Sequence, residues 1–161
     1  MSLGVLHHLP DPAAGFRSLA GRLKPGGHLA VWVYGRENNG WIRLLIDPLR
    51  LKLTSRLPDA ALHRVSLLPA AVLYWAARFR LGRLALRLVG GQALDRYAET
   101  FVARLTFWET AGVVYDHLVA PHAHYLSERQ VRRYFEDSGL ELVSITSRNG
   151  NSWRALGRRP A

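Results

Sequence analysis

Imidazoles at two places in this sequence could move protons. His7 and His8 end the apolar run that opens the chain, and Asp116, His117, His122 and His124 fall close together further on. Histidine titrates near neutrality, so one at a ligand site can accept a proton from an oxygen or nitrogen nucleophile. His7 and His8 also have a plain structural role open to them, a bond to the backbone of the next loop that holds a helix cap. The second group contains ligand types that suit zinc or a non-haem metal. It lacks a clean helical His spacing, so we expect no metal and read Asp116 and His124, with Tyr125, as contacts to a bound small molecule. Other chemistries are poorly served. There is no cysteine, no Gly-x-Ser-x-Gly elbow and no Gly-x-x-x-x-Gly-Lys loop.

The elements that must hold these groups read as an α/β pattern. Met1 to Leu9 is consistent with a buried strand, from about Ser2 to Leu6, that stops at a loop. Asp11 before Pro12 is a helix cap with proline in the first turn, and Phe16, Leu19, Ala20 and Leu23 recur at helical spacing, which predicts a helix over 12–23. Lys24-Pro25-Gly26-Gly27 stops it, and His28 to Tyr34 reads as a strand. Strand, helix and strand in this order form a crossover with parallel strands. That places His7 and His8 at the carboxyl end of a parallel strand, the edge where open α/β sheets bind ligands. Tyr34, Asn38 and Asn39 leave the next strand towards the same cleft, unless they serve ordinary loop bonds.

From Arg36 to about Val114 the pattern turns helical, with Pro48, Pro58 and Pro69 as breaks and Gly90-Gly91 as a further joint. Within it, Leu67 to Leu88 mixes apolar side chains with Arg78, Arg80, Arg83 and Arg87, a basic amphipathic pattern that suits a lid, an anionic membrane surface or the rim of a lipid-like pocket. Regular α/β pattern then returns. Ser127 and Gln130 make a capping box, Gly139 ends the helix, Leu140 to Ile145 alternates like a strand, and Asn149-Gly150 turns the chain into a last strand from Trp153. The expected organisation is thus a core segment 1–35, a helical insertion 36–114 and a closing core segment 115–161.

Twenty-two Lys and Arg against twelve Asp and Glu give a formal charge of +10, which favours phosphates, acidic ligands or anionic lipid headgroups. The arginines are spread through the chain, so nucleic acid is not the expected partner. The absence of cysteine fits a reducing compartment, and no signal peptide or spanning segment is read. A cytoplasmic or membrane-peripheral protein is the expectation.

Leu-His-His-Leu-Pro-Asp-Pro at 6–12 and Leu-Lys-Pro-Gly-Gly at 23–27, separated by one helix, resemble the strand 4 to strand 5 region of class I S-adenosylmethionine-dependent methyltransferases, especially the branch with quinone-biosynthesis and other small-molecule enzymes. Tyr125-Leu126-Ser127-Glu128, Tyr134-Phe135 and Ser138-Gly139-Leu140 are similar to the family's last helix and the strand after it. The resemblance covers roughly half the chain. It implies a partial Rossmann-like sheet in the order 3-2-1-4-5-7-6, of which strands 4, 5, 6 and 7 are present. It also implies S-adenosylmethionine as cofactor, with Leu3, Leu6 and His7 along its methionine end, and methyl transfer to a small acceptor, a lipid-like one included, with His7 and His8 as catalytic groups.

The Gly-rich turn after strand 1 and the acidic residue after strand 2, which would hold the rest of the cofactor, have no counterpart in these residues. Met1 falls at the start of strand 4, so we expect a truncated or split domain, inactive alone, that pairs with a missing N-terminal half or with itself. Two other readings stay open: a non-catalytic half-domain that binds a partner or membrane, and a methyltransferase whose acceptor is RNA.

Overall fold

A computed structural model describes residues 1–161, the side chain of Ser55 excepted. In chain order the regular elements are β1 (Ser2–Leu3), α1 (Pro12–Gly21), β2 (His28–Tyr34), α2 (Asp47–Lys52), α3 (Asp59–Ala76), α4 (Arg80–Thr100), α5 (Phe107–Val119), α6 (Glu128–Asp137), β3 (Glu141–Arg148) and β4 (Ser152–Arg158). The chain divides into two compact units, residues 1–37 with 122–161, and residues 38–121.

The first unit is an open four-stranded sheet in the order β1-β2-β4-β3. β1 and β2 are parallel, while β4 runs antiparallel to both β2 and β3. This is the order in which strands 4, 5, 7 and 6 lie in the resemblance drawn above, and the fold is a partial Rossmann-like α/β sheet. Leu29, Val31 and Val33 alternate inward from β2 and pack with Phe16 of α1 and Phe135 of α6, whose rings meet edge to face at 4.8 Å. The period of two sends Trp32 and Tyr34 to the other face. Local chemistry sets the ends of these elements. The Asp11 carboxylate accepts from Ala14 N at 2.9 Å, the Ser127–Gln130 capping box opens α6, and Asn149 and Gly150, both at positive φ, make the hairpin turn between β3 and β4.

Two expectations for this unit are corrected. The first strand is only Ser2–Leu3, because Gly4 at φ +75° turns the chain and a 3-10 turn over Leu6–His8 follows. Helix α1 stops at Gly21 rather than Leu23, because the amides of Arg22 and Leu23 bond three residues back, to Leu19 and Ala20, and tighten the last turn.

The second unit is helical. A π-helical turn at Ile42–Ile46 leads into α2, α3 packs along α5, and the Thr54 hydroxyl donates to the Leu118 carbonyl at 2.9 Å. Pro48 sits in the first turn of α2 and Pro58 caps α3, positions that need no donated amide. Pro69 does not break the chain as expected. It lies inside α3, where Leu62, Ser66 and Ala70 bury one side, and costs the helix one bond. Gly91, at φ 70° and ψ −168°, kinks α4. The stretch Leu67–Leu88 runs across the end of α3 at Ala76 and the start of α4 at Arg80. No single helix is long and apolar enough to cross a membrane, although α3 and the segment Arg80–Arg104, bent by 117°, pass together by length and composition.

Candidate functional site

The carboxyl ends of β1 and β2 carry a cluster of rings. The 3-10 turn after β1 puts the fully buried His7 ring 3.9 Å from Tyr34 and 4.3 Å from His8, with Trp32 edge-on at 6.1 Å. His8 is half-buried and meets the Tyr34 ring edge-on at 5.6 Å. Tyr125 stacks on Tyr34 at 6.0 Å.

The segment before α6 is strapped across these strand ends. His124 N donates to the His7 carbonyl at 2.8 Å, Leu126 N to the Tyr34 carbonyl at 2.9 Å, and Arg36 N to the Leu126 carbonyl at 3.0 Å. Gly35 and Leu126 form a parallel bridge. His8 Nδ1 lies 2.8 Å from the His122 carbonyl. A carbonyl only accepts, so Nδ1 carries a proton, and in the neutral ring Nε2 of His8 is the nitrogen with the lone pair. Glu37 locks the far side, its carboxylate accepting from the Trp153 indole at 2.9 Å and from Glu128 N at 3.3 Å. Two buried nitrogens in this region, Trp32 Nε1 and His124 Nε2, have no hydrogen-bond partner among the described residues. Buried polar atoms are nearly always paired, so these two nitrogens call for a water or a bound molecule as partner.

A family model described as a methyltransferase domain matches residues 1–145. The chain belongs to that methyltransferase family. Its sheet order and the motif matches make it a class I, S-adenosylmethionine-dependent type. The chain is also similar to an uncharacterized protein of Synechococcus sp., 29% identical over 153 residues that cover 91% of this chain and 31% of the relative. It therefore spans about a third of the length of the curated relative it matches.

Of the residues singled out from the sequence, His7, His8, Tyr34, His124 and Tyr125 come together in the sheet unit of this methyltransferase domain. Leu3 is exposed beside β2, and Leu6 packs into the core with Phe16. Asn38, Asn39 and Asp116 belong to the helical unit. Asn39 is buried and its carbonyl accepts from Arg43 N at 3.2 Å, while Asp116 is exposed on α5. Among the described residues no three His, Cys, Asp or Glu side chains group as a metal site requires. Sequence reasoning passed over Trp32 and Glu37. Trp32 shares a strand face with Tyr34 through the period of two, and that signal could have found it. Glu37 had no signal, because its partners are 91 and 116 residues away.

Proposed function

We propose that this protein transfers a methyl group from S-adenosylmethionine to a small, lipid-like acceptor of the kind handled by the quinone-type branch, in the cytoplasm or at a membrane surface. The observation that carries the reading is the cluster of His7, His8, Tyr34 and Tyr125 at the carboxyl edge of a parallel strand pair, with the unpartnered Trp32 and His124 nitrogens beside it. Aromatic faces attract a cation such as a sulfonium, so these rings fit the methionine end of the cofactor. When bound, the cofactor supplies an electrophilic methyl group. Methyl transfer needs chiefly in-line proximity and a site that excludes water. His8 Nε2 accepts the proton that an oxygen or nitrogen acceptor must lose, and the His122 carbonyl fixes the ring for that task. His7 and Tyr34, packed on it, position His8.

The test uses methyl-labelled S-adenosylmethionine and a lipid extract, with strands 1 to 3 supplied on the same or a second polypeptide. Labelled lipid should appear, and His8→Gln should slow its formation by roughly 10²-fold, the low end for removal of a general base, with cofactor binding retained. Labelled product formed by His8→Gln at the parent rate would remove the base assignment. Cofactor binding with no labelled lipid would remove the acceptor reading.

A further inference from the structure

The first half of α4 carries two stripes that run side by side. Leu81, Leu84 and Leu88 recur three and four residues apart and so share a face. Arg80, Arg83 and Arg87 each precede a leucine by one position, about 100° round the helix, and flank that face. Both stripes border one depression of ≈ 700 Å³, lined by Arg80, Leu81, Arg83, Leu84, Arg87 and Asp95. The fold does not use the leucines. Helix α4 packs inward through Leu86, against Ala77, Ala98 and Val102, while Leu81 is 82% and Leu88 80% exposed. Arg83 is held by Asp95 at 2.9 Å and Glu99 at 2.8 Å, whereas Arg80 and Arg87 make no ion pair among the described residues.

Aromatic rings continue this surface past the helix start. Phe79, the residue before α4, stacks on Trp75 at the end of α3 with ring centres 5.9 Å apart, and both are more than half exposed. Arg78, between them in sequence, fixes this corner by donating to the carbonyls of Tyr74 and Ala103. Single exposed apolar side chains are ordinary, but a connected set marks an interaction surface.

The residue types say which partner it fits. Leucines flanked by arginines are the pattern of a helix that lies in the plane of a membrane interface, its apolar face in the acyl boundary and its long basic side chains reaching back to lipid phosphates. The indole of Trp favours the same boundary. Helix α3 with the segment Arg80–Arg104 has the hydropathy of a span but is bent by 117°, so the corner at Phe79 is what it offers a bilayer. The formal charge of +10 adds attraction to an anionic surface.

We propose that the helical unit docks on an anionic bilayer through the corner at Trp75 and Phe79 and the leucine stripe of α4, with Arg80 and Arg87 on lipid phosphates. The proposal deepens the membrane-surface reading above and rests on it only for the claim that docking brings the domain to its acceptor. The docking itself stands on α3 and α4.

The experiment floats the full chain, without S-adenosylmethionine, on vesicles of phosphatidylcholine alone or of equal parts phosphatidylcholine and phosphatidylglycerol. The chain should bind the anionic vesicles, and salt should weaken that binding. Leu81→Gln with Leu88→Gln, both at exposed positions, should keep the helical circular dichroism and weaken binding at least tenfold. Arg80→Gln with Arg87→Gln should weaken it about fivefold per cation, about thirtyfold in all, and Arg80→Lys with Arg87→Lys should retain most of it. Bromine-labelled lipid should quench the tryptophan emission of the parent, and Trp75→Phe should lose part of that quenching. This second readout decides the matter should the leucine variant lose its helical signal. Equal binding to neutral vesicles would overturn the anionic partner. Binding unchanged in the leucine variant, or quenching unchanged in Trp75→Phe, would overturn this face as the one that docks. Absence of vesicle binding would overturn the proposal, and a dimer lost in the leucine variant would then assign the face to a second copy. Because the readout contains no cofactor, its failure leaves the methyl-transfer reading standing, and a failed transfer assay leaves the docking standing.

Discussion

Arg78 was read from the sequence as one of four cations facing anions, and the structure gives it a different task. Its guanidinium donates to the carbonyls of Tyr74 at 2.7 Å, Ala103 at 3.3 Å and Leu105, and stacks 3.5 Å from the centre of the Tyr74 ring. It thereby pins the end of α3 to the 3-10 turn Val102–Arg104 that follows α4. Arg78→Lys keeps the charge and removes the planar fork. An ammonium can hold one of the three carbonyls well but cannot span all of them while stacking. A bond from a charged donor contributes about 1.5–3 kcal/mol and an exposed cation–π contact about 0.5–1 kcal/mol. Loss of one good bond and the stack gives a destabilisation of roughly 2–4 kcal/mol. Urea unfolding followed by circular dichroism measures it as a lower midpoint at constant slope. Arg80→Lys, on an exposed side chain, is the control and should stay within about 0.5 kcal/mol of the parent. Equal midpoints for the two variants would refute the pinning role, and a loss of vesicle binding in Arg78→Lys without loss of stability would restore the original reading.

Gly157→Ala should destabilise the sheet unit by about 1–3 kcal/mol, read from the same unfolding curves, because its Cβ would land 2.4 Å from the Phe135 ring and 3.0 Å from the Glu141 carbonyl oxygen. Phe135→Leu should recover part of that loss in the double variant. Desolvation by burial holds the pKa of His117 below its ordinary 6.5, against the opposing pull of the Val113 carbonyl, Asp116 and Asp47, while Arg50 adds to the lowering. Its neutral form is the one that the fold prefers. Its contribution is therefore complete above pH 6.5 and falls as pH drops from there through the lowered folded value, as the unfolded chain takes up the proton first. The urea midpoint of His117→Gln should fall less than that of the parent between pH 7.5 and 5.5. Calorimetry of the 161-residue chain should show S-adenosylmethionine binding that is weak or absent, since its residues offer no Gly-rich turn and no acidic ribose partner; tight, saturable binding would mean that another element replaces them.

Local signals carried much of the sheet unit. The Asp11–Pro12 start of α1, the Ser127–Gln130 box of α6 and the Asn149-Gly150 turn are short-range chemistry that acts through neighbouring residues, and each sits where its residues direct. The sheet order came through the resemblance, since pairing between β2 and β4 joins residues more than a hundred positions apart. Less was legible where distant packing decides. Periodicity cannot see that Gly4 turns the chain after two strand residues, nor that Leu62, Ser66 and Ala70, on the buried side of α3, keep it intact through Pro69. The break inside Leu67–Leu88 was hidden for the same reason: the turn between α3 and α4 is held by Arg78 reaching carbonyls 25 and 27 residues away. At the site, His7, His8 and Tyr34 were readable from their places at strand ends, while the strap from His122 to Leu126 rests on backbone bonds that side-chain patterns do not announce.

The central claim is that the carboxyl edge of β1 and β2 receives the methionine end of S-adenosylmethionine. Amide chemical-shift mapping of the isotope-labelled chain, titrated with S-adenosylmethionine into the millimolar range, tests it most directly. The expected result is a set of shifts at Leu3, Leu6, His7, His8 and Tyr34, carried onto His124 and Tyr125 through the strap. Shifts confined to α3, α4 and α5, with the amides of His7, His8 and Tyr34 unmoved, would contradict it.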